Sequence, residues 1–202
     1  DKMKPAKRFS ITKRAFTPTD YDYWNKFKIN IQTLERFNVV PLASYSAFKT
    51  DGNPYEIKSF GKKLIYAYDN GDWTKIYKPL DDKKFKFQFL GIKEMGFIFG
   101  WKQLPETDDL VFITGGEKDV MCLSSQGFNA ITLNSETSNL QDETAEELKK
   151  RFKNVIVLYD NDATGIKQSI KLAATYQINR LELPKIANNG KDISDFFAQG
   201  GT

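Results

Sequence analysis

The sequence predicts an α/β fold: a mostly parallel sheet flanked by helices, preceded by a smaller basic α+β module with antiparallel strands. Three observations lead there. Residues 105–202 alternate short apolar runs with helical patterns, as parallel strands joined by helical crossovers do. Residues 39–99 carry short Tyr-, Phe- and Ile-rich runs separated by Gly, Asn and Asp, as hairpins do. Charge and aromatics divide at the same place. Residues 1–104 hold 20 Lys+Arg against 11 Asp+Glu and 21 of the 28 aromatics, while residues 105–202 hold 10 Lys+Arg against 15 Asp+Glu. The reading is two modules, 1–104 and 105–202, the first facing a polyanion.

Each element has its own signal. Residues 1–19, with Lys2, Lys4, Lys7, Arg8, Lys13 and Arg14, read as a basic arm or linker. Residues 20–37 read as one helix capped by Thr19 or Asp20, with Trp24, Phe27, Ile31 and Leu34 on one face. Leu64–Tyr68, then Asn70-Gly71, then Trp73–Tyr77 predicts a hairpin. Phe85–Phe89 alternates strictly, which predicts a half-buried strand with Lys86 and Gln88 outward. The polar stretch Trp101–Asp109 marks the module break. Strands follow at Leu110–Thr114, Ala130–Leu133, Val155–Tyr159 and 178–183, with helices at 117–126, 141–152, 163–176 and 192–199. Gly127 ends the first of these helices. Thr137–Asn139, with Gln141–Glu143, reads as a loop and N-cap, and Cys122 as a small buried helical residue.

Composition narrows the chemistry. The 202 residues include no histidine, which removes Ser-His-Asp and Cys-His catalysis and imidazole ligation. A single cysteine excludes an internal disulfide and a Cys-cluster site, so no zinc is expected in this fragment. No apolar run approaches the roughly 18 residues of a membrane span and no signal-peptide pattern opens the chain, so the expectation is a cytoplasmic protein with no membrane partner. The start at Asp1 suggests a piece of something longer. No Gly-x-x-x-x-Gly-Lys-Ser/Thr loop is present, so ATP-driven helicase work would need another part of the parent protein.

Three acidic clusters fall just beyond the carboxyl ends of predicted strands, where open α/β sheets place their sites. They are Gly115-Gly-Glu117-Lys-Asp119, Asp160-Asn-Asp162 and Gly190-Lys-Asp192-Ile-Ser-Asp195. Oxygen ligands converging there suit Mg²⁺ or Mn²⁺. Simpler roles exist for each alone. Asp-x-Asp serves turns and helix N-caps, Asp192 is most simply an N-cap, and Glu117 and Asp119 favour a helix dipole. Three such clusters in one small α/β unit favour the metal reading. Lys118, Lys167 and Lys191, beside the acids, are candidates for nucleotide or phosphate contact.

The runs Leu110–Met121, Val155–Ile166 and Gly190–Phe197 resemble the three motifs of the Toprim domain, shared by bacterial-type primases, phage primase–helicases, topoisomerases and some nucleases and repair proteins. The resemblance covers roughly residues 105–200, and Gly165-x-Lys167 is closer to primases than to topoisomerases. Residues 20–104, with the Tyr23-Trp24 helix and aromatic hairpins, are loosely similar to the basic subdomain that precedes Toprim in primase catalytic cores. The resemblance implies Mg²⁺- or Mn²⁺-dependent, template-directed synthesis of RNA primers on single-stranded DNA. It implies catalytic roles for Glu117, Asp119, Asp160 and Asp162, and metal ligation by Asp160, Asp162, Asp192 and Glu117. The implied partners are a single-stranded DNA template, ribonucleotides, and a replicative helicase in the parent protein or in trans.

Lysines interleaved with aromatics in the first module suit a nucleic-acid surface, since cations track phosphates while rings stack on bases. The candidates are Lys62, Lys63, Lys75, Lys78 and Trp73, then Lys58, Lys84, Lys86, Tyr66 and Tyr77. One departure from the family matters. Where the family carries a Glu directly after the first strand, this chain has Gly115, with Glu117 two residues later. Two other readings therefore stay open: a metal-dependent nuclease, and a degenerate Toprim nucleic-acid-binding module of a phage or mobile element.

Overall fold

The computed structural model describes residues 8–133 and 139–201. Lys2, Lys4 and Lys7 of the expected arm, and Thr137 and Ser138 of the expected loop, lie outside the described residues. The chain forms two compact units, one of residues up to Tyr23 plus Leu34–Met95, the other of Trp24–Thr33 plus Gly96 onward. Sequence reading set its break after residue 104 and did not separate Trp24–Thr33 from the first module.

The first unit is built on an antiparallel sheet of β1 (Ser10–Lys13), β2 (Val39–Phe48), β3 (Pro54–Lys58), β4 (Tyr66–Asp69), β5 (Thr74–Tyr77) and β6 (Phe87–Leu90). The order is β1-β2-β4-β5-β6, with β3 also paired to β2. Its core gathers Leu42, Tyr45, Ile65, Ala67 and Ile76. The basic segment read as an arm thus supplies β1, paired antiparallel with β2 from Ser10↔Ser46, with a register shift between Thr12 and Lys13. The hairpin forms as β4 and β5, with Asp69 opposite Thr74.

Two local expectations are corrected. Residues 20–37 hold two helices, α1 (Pro18–Asn25) and α2 (Ile31–Arg36). Between them Lys28 takes a positive φ of 57°, which no helix interior accommodates, and the Asn30 carboxamide accepts from Thr33 N–H at 2.8 Å to start α2. α1 begins two residues early because Pro18 suits the first helical position and Asp20 reaches back to Thr17 N–H at 2.7 Å, a capping-box arrangement.

The second correction concerns β6. Phe85, Phe87 and Phe89 are about half exposed, and Gln88 turns inward, hydrogen-bonded to the Tyr45 and Tyr55 hydroxyls. Gln88 lies opposite Ile76 and therefore on the core face. Alternation identifies a strand, but pairing register decides which face is buried.

The second unit is the parallel α/β layer. In chain order come β7 (Asp108–Thr114), α3 (Glu117–Ser125), β8 (Asn129–Thr132), α4 (Asp142–Arg151), β9 (Phe152–Leu158), α5 (Ala163–Tyr176), β10 (Asn179–Arg180) and α6 (Ile193–Ala198). The sheet order is β10-β9-β7-β8 and every pair is parallel. Its core includes Val111, Ile113, Ile131, Leu148, Val155 and Val157. β10 is shorter than the expected 178–183, although Leu181 N–H still donates to the Val157 carbonyl at 3.0 Å. Because β7 runs to β8 on one side and the later strands lie on the other, the chain reverses direction across the sheet between β7 and β9. That switch point is where α/β sheets open a crevice at their carboxyl ends. Among the described residues no helix is long and apolar enough to cross a membrane.

Candidate metal centre

Three carboxylates meet at this switch point. Asp119, Asp160 and Asp192 each bring one oxygen to within 4.8 Å of the other two. Asp119 stands at the third position of α3, and helical side chains lean toward the N-terminus, so its carboxyl returns to the strand end. Asp160 lies two residues past the end of β9, after Tyr159, and Asp192 is the N-cap of α6.

The site is electrostatically unsettled. Burial first, then the charges of Asp192 and Asp160, push the Asp119 carboxyl well above the usual carboxylate range, while Lys118 pulls the other way. Asp119 is 5% exposed, and its Oδ1 accepts the Ser194 backbone N–H at 3.3 Å. Asp192 Oδ1 accepts from the Ser194 hydroxyl at 2.6 Å and from Asp195 N–H at 2.7 Å, which fixes one oxygen as a cap. The donor set consists of hard oxygens. Cys122 is buried and its thiol is pushed up by that burial, so it offers no thiolate. These residues fit Mg²⁺ or Mn²⁺ and do not suit a soft metal.

Asp162 has different work. Its Oδ1 caps α5 through Thr164 N–H at 3.0 Å and Gly165 N–H at 2.9 Å. Those backbone donors, Gly165 foremost, together with Lys191, hold its carboxyl below the usual range. The Lys191 ammonium pairs with both Asp160 and Asp162, the latter at 2.9 Å. Burial alone would lower the Lys191 ammonium, but the two carboxylates raise it above its ordinary value. Asn161 N–H also bonds the Lys191 carbonyl at 2.6 Å, so the second and third acidic loops are stitched together. Gly165 is required here because a Cβ would come within 2.2 Å of the Asp160 carbonyl oxygen.

The structure thus groups the candidates differently from the sequence. Glu117 opens α3 and stands outside the three-acid cluster, and Asp162 acts as a cap facing Lys191. Asp119 is the acid of the first cluster that lies with Asp160 and Asp192, and the phase of α3 is the signal that singles it out. Lys118 lies over the Phe27 ring at 4.1 Å, within the second unit, and Lys167 is exposed on α5.

In the first unit, Trp73, Tyr66 and Tyr77 are buried, so their rings offer no open face to a base. Lys78 is buried and paired with Asp81 at 3.2 Å. Lys62 is exposed, Lys63 lies 5.9 Å from the Phe60 ring centre, and Lys75 lies 4.3 Å from that of Phe87.

The family model described as Toprim-like matches residues 112–197, which include all three acids. No curated protein sequence matches the chain. Among solved structures, the Aquifex aeolicus primase, zinc-binding and RNA polymerase domains, matches at 18% identity and a TM-score of 0.61 over 92% of this chain. This chain spans about half of that one, 53%. The primase fragment of the bacteriophage T7 primase–helicase matches at 16% identity and TM-score 0.60, over 98% of this chain and 79% of that one. A DnaG primase catalytic domain bound to single-stranded DNA matches at 15% identity and TM-score 0.64, over 92% and 71%. Residues 112–197 match the Toprim-like model, and the chain shares its fold with DNA primase catalytic cores.

Proposed function

We propose that this chain is the catalytic core of a primase, joining ribonucleotides on a single-stranded DNA template. The observation that carries the reading is the convergence of Asp119, Asp160 and Asp192 at the β7–β9 switch point of a Toprim-like sheet. These three would hold Mg²⁺ or Mn²⁺, which supplies charge neutralisation at a triphosphate and a lowered pKa for the attacking hydroxyl. Lys191 keeps Asp160 and Asp162 from repelling each other, and with exposed Lys167 it offers cations to phosphate oxygens. The basic first unit binds the template. A helicase in the parent protein or in trans is the partner that likeness to the T7 primase–helicase favours.

Gly115, at the position where the family carries its Glu, favours a second reading: a nucleic-acid-binding module that performs no polymerisation. Incubating the chain with single-stranded templates, labelled ribonucleotides and Mg²⁺ or Mn²⁺ separates the possibilities. Short oligomers that vanish in Asp160→Asn support the core reading. Metal-dependent template degradation without nucleotides marks a nuclease, and binding with neither product marks the non-catalytic module.

A further inference from the structure

The turn before β6, with Phe85, and the exposed face of β6, with Phe87 and Phe89, combine two features that the sequence alone assigns to different sides. Phe85, Phe87 and Phe89 are 52%, 45% and 48% exposed. Cations hang over all three rings: Lys84 at 4.7 Å from Phe85, Lys75 at 4.3 Å from Phe87, and Lys93 at 5.1 Å from Phe89. Phe87 is held from behind, stacked on buried Tyr77 with ring centres 5.0 Å apart and planes 13° off parallel. Phe89 packs against buried Trp73 at 6.1 Å with the planes tilted by 39°. Phe87 and Phe89 are therefore backed by buried rings, and all three phenylalanines are partly exposed with a lysine over each.

We infer that the Phe85–Phe87–Phe89 stripe is a base-stacking platform for single-stranded nucleic acid, with Lys75, Lys84 and Lys93 taking its phosphates. Three arguments select this occupant. Phe87 and Phe89 lie two residues apart on an extended strand, about 7 Å, roughly twice the 3.4 Å rise of bases in a duplex strand. Such spacing suits a drawn-out single strand, and it cannot engage the bases of a duplex, whose faces are already stacked. An apolar protein partner would have to desolvate the ammonium groups above the rings, whereas phosphates neutralise them. The exposed cation–ring contacts are each weak enough, about 0.5–1 kcal/mol, for a base to take the ring while the lysine swings to a phosphate. The path also continues: Phe89 borders a groove of about 290 Å³ that holds a second cation–ring pair, Arg8 over Phe48 at 5.7 Å.

This inference rests on the proposed function only in taking a single-stranded substrate, and its test is separate from catalysis. Titration of a labelled oligo-dT into the full chain, monitored by anisotropy, would be compared among wild type and the two triple variants Phe85/Phe87/Phe89→Leu and →Tyr. Leucine keeps apolar cover and removes the ring, while tyrosine keeps the ring. The leucine variant should bind at least tenfold more weakly, since stacking on a single ring is worth about 5- to 150-fold. The tyrosine variant should stay within about twofold of wild type. Both should keep the wild-type salt slope, and duplex binding should be equal in all three.

Wild-type affinity in the leucine variant would overturn the stripe as a platform, as would equal losses in both variants or no oligonucleotide binding by the wild type. The single variants Phe85→Leu and Phe89→Leu carry the same comparison should the triple fail to fold. Ring-dependent binding without primer synthesis keeps this inference and loses the catalytic reading. Primer synthesis with ring-independent binding does the reverse.

Discussion

Asp119 is the acid whose surroundings most oppose its charge. Burial and its two acidic neighbours raise its carboxyl, so the native chain keeps a proton that the unfolded chain releases near its ordinary value. Unfolding then releases a proton, and stability is lost as pH rises through that interval. In chelator, Asp119→Asn should therefore melt several degrees above wild type at neutral pH and lose this decline. Millimolar Mg²⁺ or Mn²⁺ should raise the wild-type melting temperature and leave the variant unmoved, because a ligand stabilises only the state that binds it. A variant that still responds fully would move the ion away from Asp119. The acids were legible in the sequence as three clusters at strand ends. Asp160 and Asp192 were named there and do meet; the choice of Asp119 over Glu117 depends on the phase of α3, and Asp162 is drawn aside by capping α5.

At the scale of elements, Asp20 ties β1, α1 and β4 together. It accepts from Arg14 Nη2 at 2.8 Å, Thr17 N–H at 2.7 Å and the Tyr66 hydroxyl at 2.7 Å. Burial alone would raise this carboxyl, but these donors, Arg14 first, outweigh burial and hold it at about 2. A depressed carboxyl contributes stability above its unfolded value, and that contribution is lost as pH falls toward the folded one. Asp20→Asn should therefore cost about 2 kcal/mol at pH 7. The gap from wild type should narrow between pH 4 and pH 2, as read by urea unfolding. A gap that stays constant with pH would assign the loss to packing and not to charge.

The same scale shows what local pattern misses. Residues 20–37 carry one apolar face, yet Lys28 breaks the helix, and the break leaves Ile29 buried outside either helix. The phenylalanines of β6 follow the alternation of a half-buried strand, yet long-range pairing with β5 puts Gln88 over the core. The parallel unit was more legible, since its central strands β7 and β9 are apolar runs that end at a Gly or Asp turn. Among its strands β10 shortened, to the two residues Asn179–Arg180.

At the scale of the whole molecule, charge is unevenly divided along the chain. The first 104 residues hold an excess of lysine and arginine, and the remainder an excess of acid. Burial sorts those lysines into two kinds. Lys62 is exposed and Lys63 only partly covered, while Lys78 is buried against Asp81. Single-strand binding releases about 0.7 counterion for each phosphate neutralised. Lys62→Glu with Lys63→Glu should thus weaken oligonucleotide binding and flatten the plot of log affinity against log salt by about 1.4. Lys78→Gln leaves Asp81 without its partner and should lower the melting temperature with the salt slope unchanged. Affinity titrations from low to moderate salt, beside melting curves of the same samples, read both effects. An unchanged slope in the double variant would take Lys62 and Lys63 out of the phosphate path, and a flattened slope in Lys78→Gln would mean that its ammonium leaves Asp81 for the nucleic acid.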